Sequence, residues 1–217
     1  LESNKGVDLF LANSINTSQK IKKFYKREAQ ILYPPVDIDR FSEARSYKKK
    51  DYFFTISRFT SYKRIDLAIH ACEKANKKLL IAGSGPEENK LKRIAGKKTV
   101  FLGQIDTAQK IQHYKEAKAT IFCADEDFGI VPVESLASGT PVIAYGKGGA
   151  LEIVEENKTG IFFEKQTVDS LADSIAKLEK MSFDPKYIKQ SVKKFDKIYF
   201  KKNIDSIIDN IRRKNGS

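Results

Sequence analysis

Two glutamates separated by seven residues, Glu126 and Glu134, flank the start of an apolar helical pattern in EDFGIVPVESLASGTPVIA (126–144), and Gly129 opens that pattern. Backbone N–H groups at a helix N-terminus attract anions such as phosphate, while a nearby carboxylate accepts hydrogen bonds from ribose or hexose hydroxyls. A nucleotide sugar presents all of these groups together. The residues alone leave three readings open: sugar binding, a surface acidic loop, or, with Asp125 and Asp127, a cation site. The run from Asp125 to Gly129 lacks the alternating ligands and the glycine position of a calcium loop, which weighs against the last. Glu134, in the first turns of the predicted helix, would equally serve by complementing the helix dipole.

Arg58 and Lys63 follow a predicted strand in SRFTSYKRID. Ligands of open parallel sheets sit at the strands' carboxyl edge. An arginine fork and a compact lysine charge there can clamp a pyrophosphate and neutralise a departing nucleoside diphosphate. The bland alternative is that they are two of 40 basic residues. Gly148 and Gly149, between Lys147 and Ala150 just past another strand, form a turn that lets backbone N–H groups approach a ligand. Gly83-Ser84-Gly85-Pro86 marks a strand end, a turn and a helix start with Pro86 at the first helical position. That glycine pair lacks the third glycine of a dinucleotide fingerprint and follows the second strand, which argues against a nicotinamide dehydrogenase. His70 and His113 fall in predicted helices away from cysteines and acidic clusters, so neither reads as a metal ligand or general base.

The elements that must position these groups alternate from Tyr52 onward. Strands are expected at 52–57, 78–83, 99–103, 119–124 and 141–145, with a short run at 160–163. Their continuous apolar character is that of buried parallel strands. Between them Ile65, Ala68, Ile69 and Cys72 form one helical stripe, and Leu171, Ile175 and Leu178 another. The fold class is therefore α/β: a Rossmann-like parallel sheet with helices on both faces. Before it, VDLFLANS (7–14) reads as a strand, SQKIKKFYKR (18–27) as a basic helix and YPPVDIDRF (33–41) as a connector stiffened by Pro34-Pro35. Four segments result: 1–33, the last pieces of another domain; 34–50, a linker; 51–185, the sheet domain; and 186–217, a basic helical tail. Ile188, Val192, Phe195, Tyr199, Ile204, Ile207, Ile208 and Ile211 give the tail an apolar stripe that needs a partner surface, a homodimer being one candidate.

Composition excludes several classes. The formal net charge of +12 resembles a nucleic-acid signal, yet it divides as +5 over 1–50, zero over 51–185 and +7 over 186–217. An excess confined to the flanks suits anionic lipid head groups, an acidic neighbouring surface or a merely solvated exterior, and we expect no nucleic-acid partner. No apolar run approaches the roughly 20 residues a membrane span needs, and no signal pattern opens the chain. Two cysteines without metal or redox spacing suggest reduced, buried thiols and a cytoplasmic setting.

Together these pieces resemble the C-terminal, donor-binding domain of the family-four retaining GT-B glycosyltransferases, from about Asp8 to the tail. YPPVDIDRF is similar to that family's interdomain linker, ISRFTSYKRIDLAI to its basic phosphate loop, LLIAGSGPE to its second strand-turn, VFLGQI to its base-side loop, and EDFGIVPVESLASGTPVIA to its paired glutamates. The resemblance implies that Arg58 and Lys63 hold the diphosphate, Glu134 the ribose and Glu126 the transferred sugar. Gln104 and Ile105 would rim the base pocket, Gly83 would lie at the second strand-turn, and Phe128, Gly129 and Ile130 would line the helix entrance. Residues 147–150 would approach the sugar and distal phosphate. It also implies front-face attack without a metal or other cofactor, a glycan or lipid-linked acceptor held by a domain preceding Leu1, and an isolated chain that binds nucleotide but barely transfers. Asp127 stands where many members have glycine; EDFG is similar to a subset of mannosyltransferases, which points to GDP-mannose as donor. A sugar-phosphate synthase or another GT-B enzyme, or a non-catalytic binding module using the basic flanks, are the competing expectations.

Overall fold

The computed structural model describes residues 6–42 and 47–215, with the side chains of residues 214 and 215 left aside. The expected first segment at 1–5, the linker at 43–46 and the tail's last two residues lie outside that description.

A small unit comes first: β1 (Phe10–Ala12), α1 (Ile15–Tyr25) and β2 (Ala29–Ile31), the two strands pairing in parallel. Ser14 caps α1 by accepting from the Thr17 N–H, and Lys26 closes it in the left-handed region at φ 56°. The second strand of this unit, a three-residue AQI with no apolar run, was not anticipated. The connector then contributes a short helix, α2 (Ile38–Ser42), whose Ile38 and Phe41 are buried.

The main sheet holds β3 (Phe53–Ile56), β4 (Leu79–Ala82), β5 (Thr99–Gly103), β6 (Ala119–Phe122), β7 (Val142–Tyr145) and β8 (Gly160–Phe163) in the order β5-β4-β3-β6-β7-β8. All neighbouring pairs are parallel. All six expected strands are present. The helices between them are α3 (Ile65–Lys74), α4 (Glu88–Ile94), α5 (Thr107–Glu116), α6 (Ile130–Ala137) and α7 (Ala150–Ile153), and α8 (Val168–Leu178) follows β8. Pro86 does not occupy the first helical position: it sits in the turn before α4, which starts at Glu88.

Period-two alternation splits the core across the sheet. Phe53, Ile81, Ile121 and Ile143 face α3 and α8, while Phe54, Leu80, Phe122 and Ala144 face α2, α5 and α6. Each such phenylalanine removed from water contributes on the order of 1.5–3 kcal/mol.

The apolar stripe of the tail divides into α9 (Pro185–Ser191) and α10 (Lys197–Asn215), joined by a single 3₁₀ turn (Lys193–Phe195). Ile188, Val192 and Phe195 belong to the main core, so the packing boundary does not fall at residue 185. Val36 of the connector is bonded on both sides of Asp196: its N–H donates to Phe195 O at 3.0 Å and its carbonyl accepts from Lys197 N at 3.1 Å. Along α10, Ile207 is buried, whereas Tyr199, Ile208 and Ile211 remain exposed.

Candidate functional site

The strand order reverses between β3 and β6, and this is where open α/β sheets bind ligands. β3 runs into the segment carrying Arg58 and Lys63; β6 runs into Asp125, Glu126, Asp127 and Phe128. A single 3₁₀ turn (Ser61–Lys63), closed by Arg64 at φ 52°, turns the first segment back toward the second. Between them lies a cleft of about 690 Å³ whose lining includes Arg58, Lys63, Glu126, Phe128, Gly129 and Ile130. The two strand ends thus deliver six expected residues to one cavity.

Within it the Lys63 ammonium donates to Glu126 Oε1, both side chains being mostly buried. Arg58 is exposed; its carbonyl accepts from Ser57 Oγ and the Thr60 N–H, while its guanidinium has no hydrogen-bond or ion-pair partner among the described residues. It also borders a shallower hollow of about 480 Å³ together with Ser57, Gly83, Ser84, Gly85 and Gln104. An unpaired guanidinium at the junction of two cavities is placed to accept a bidentate anion. Across the hollow, Gln104 Nε2 donates to Ser84 Oγ at 2.9 Å. Ile105, by contrast, is partly buried against the core.

Gly83 has φ +120° and a Cβ there would sit 1.9 Å from Ser57 O, so only glycine lets β4 leave the sheet beside β3. Gly148 and Gly149 do not line the cleft. Their backbone packs against the loop that does: the Gly149 N–H donates to Glu126 O at 2.8 Å, and a Cβ on Gly148 would lie 2.2 Å from the same oxygen.

Glu134 is set apart as well. It is 8% exposed and is not among the residues lining either cavity. Its Oε1 accepts from Lys110 at 2.5 Å and its Oε2 from the Tyr114 hydroxyl at 3.0 Å. Burial first, then the carboxylate, holds the Tyr114 phenol well above its ordinary range, so it stays a donor. Sequence reasoning missed this pair. Its one signal was the i, i+4 spacing of Lys110 and Tyr114 on α5, which stacks them on one helical face.

Asn13, Lys20, Pro34 and Thr55 also line the main cleft and were not anticipated. Burial pushes the Cys72 and Cys123 thiols up, leaving neither as a thiolate nucleophile near neutral pH. Among the described residues, no three His, Cys, Asp or Glu side chains are grouped to hold a metal ion, and no helix is long and apolar enough to cross a membrane.

Residues 37–195 match the family described as Glycosyl transferases group 1, which covers both strand ends and the whole main sheet. The chain belongs to this family. Among curated relatives of this glycosyltransferase domain, the GDP-mannose-dependent alpha-(1-6)-phosphatidylinositol monomannoside mannosyltransferase of Mycobacterium tuberculosis is 30% identical over 205 residues, covering 80% of this chain and 53% of that protein. Human alpha-1,3/1,6-mannosyltransferase ALG2 is 26% identical over 197 residues, 74% of this chain and 47% of that one. The glycosyltransferase domain described here thus spans about half the length of these relatives. Its architecture is shared with Anabaena Alr3699/HepE, solved with UDP and glucose, at a TM-score of 0.80 and 19% identity over 95% of this chain and 64% of that one. The parallel sheet covered on both faces is that of the GT-B glycosyltransferases, as the sequence resemblance implied.

Proposed function

We propose that the chain is the donor-binding half of a retaining mannosyltransferase that takes mannose from GDP-mannose and delivers it to a glycan or lipid-linked acceptor. The observation that carries this reading is the meeting of Arg58, Lys63 and Glu126 in one cleft at the sheet's switch point. Similarity to enzymes named as mannosyltransferases supports mannose as the sugar.

The diphosphate would take the Lys63 ammonium from Glu126 and share it with Arg58. Charge growing on the leaving group is thereby met by two fixed cations, and this stabilises the transition state without a metal. Glu126, released from Lys63, accepts from the hexose hydroxyls and orients the ring for front-face attack, with the departing diphosphate taking the acceptor's proton. Glu134 is the ribose acceptor in this reading. Each carboxylate oxygen has a second lone pair, so its bonds to Lys110 and Tyr114 leave capacity for a hydroxyl. The acceptor belongs to a partner domain, and the basic flanks favour work beside an anionic membrane on its cytoplasmic face.

Calorimetric titration with GDP, GDP-mannose, UDP and UDP-glucose, with and without EDTA, tests the assignment. GDP and GDP-mannose should bind more tightly than the uridine pair, with EDTA making no difference. Binding of none at millimolar concentration contradicts the donor site; preference for UDP-glucose removes the mannosyl reading alone.

A further inference from the structure

The loop carrying Glu126 is held from outside the sheet domain. Asp127 Oδ1 accepts from Asn16 Nδ2 at 3.0 Å and from the Lys20 ammonium at 2.5 Å, both on α1. Glu152, one turn after Gly149 on α7, meets the open end of the same helix: its Oε2 accepts from the Ile15 N–H at 2.9 Å and its Oε1 from the Asn16 N–H at 3.0 Å. A carboxylate on the orphan N–H groups of a helix start gains both charge-assisted hydrogen bonds and the dipole. Burial, with the Glu152 carboxylate nearby, raises the pKa of the Tyr33 phenol, beside Pro34-Pro35, to about 12, so it remains a donor. Its ring lies against Phe128 and Phe195, with centroids 5.9 Å and 4.9 Å away.

We propose that Asp127 and Glu152 form a two-carboxylate dock for the first turns of α1, so that the orientation of the β1-α1-β2 unit sets the position of the Glu126 loop. Both are positioning residues. The Lys20–Asp127 pair is about half exposed on each side, and such a pair alone holds little. Glu152 supplies the firmer half, because it satisfies two backbone donors that otherwise need water. The sequence departure at Asp127 acquires a reason here, since a glycine there offers α1 nothing to bind. Gly149 links the two halves physically: its N–H bonds Glu126 O, and Glu152 begins the next turn.

The consequence for transfer rests on the function proposed above; the dock itself does not. Spin labels at Lys23→Cys on α1 and Asp173→Cys on α8 report the unit's orientation in the nucleotide-free chain, the native thiols being buried. We expect one narrow distance distribution. Glu152→Gln and Asp127→Lys should each lose it, and Lys20→Asp combined with Asp127→Lys should restore it, with Tm showing that the sheet domain stays folded. A narrow distribution retained in both single variants overturns the dock, and broadening that the charge swap fails to reverse removes Asp127 from it. Failure of GDP to bind would sink the donor site while leaving this measurement untouched.

Discussion

Glu126 and Glu134 come from one motif and end in opposite surroundings. The first sits on an irregular loop, partly open to the cleft, its carboxylate paired among the described residues with Lys63 alone. The second sits on α6, nearly buried, with both oxygens bonded from α5. A loop carboxylate with one labile partner can exchange that partner for a ligand, whereas a helical one tied twice holds the wall between α5 and α6. Along a single stretch of chain, Glu126 is thus free to give its bond to a ligand, whereas Glu134 carries folding energy first and, in the reading proposed above, meets a ribose only through its spare lone pairs.

Glu134→Ala should show the larger stability loss, about 2–4 kcal/mol, because it leaves the Tyr114 hydroxyl and the Lys110 ammonium unpaired in a mostly buried place. Chemical denaturation checks it, and Tm should fall by roughly 5–15 °C. Glu126→Ala in the same assay should cost less, about 1–2 kcal/mol, because it strands one group instead of two and the Lys63 ammonium borders the open cleft. Equal losses would erase the contrast.

Arg58→Ala should weaken GDP binding on the order of 10–100-fold, the effect of removing a charge-assisted bidentate contact. Because the guanidinium has no partner among the described residues to lose, the Tm of this variant should not change.

Gly148→Ala sharpens the comparison from below the loop. A side chain at φ +63° and 2.2 Å from Glu126 O forces the backbone to move, at a cost of about 1–3 kcal/mol. If the loop carries the sugar contact, the advantage of GDP-mannose over GDP should vanish while GDP itself still binds, as calorimetry would show.

The smallest effect concerns the two buried thiols on the α3 and α8 side of the sheet, the face opposite α6 and Glu134. Cys72 and Cys123 have folded pKa values raised above the ordinary 9.0 by burial. The folded state therefore holds these protons more tightly. Their contribution to stability is complete below pH 9 and declines as pH rises past it. Tm measured from pH 8 to 10.5 should fall, and fall less in a Cys72→Ala/Cys123→Ala variant.

The sheet was legible because each strand is a short, continuous apolar run, whereas the strand order, and with it the switch point, is not written in any one strand. β2 was not legible either, since three residues, AQI, are too short to establish a strand period and are held by pairing with β1. Pro86 was misplaced by two residues because a proline suits the turn before a helix as well as its first position. The tail stripe was correctly seen as apolar, but a linear pattern does not reveal that Phe195 packs on Phe128 and Tyr33 instead of on another molecule. The glycine pair at 148–149 was read as approaching a ligand; its backbone approaches the Glu126 loop. Long-range partners such as Lys110 for Glu134, 24 residues apart, leave no local trace beyond the shared helical face of Lys110 and Tyr114, which does not name the carboxylate they meet.

A crystal structure of the chain with GDP tests the central claim most directly. The account predicts the diphosphate in the cleft between β3 and β6, within hydrogen-bond distance of both the Arg58 guanidinium and the Lys63 ammonium, with Lys63 drawn off Glu126. Nucleotide bound on another surface, or seated in the cleft with Arg58 and Lys63 both out of its reach, would contradict it.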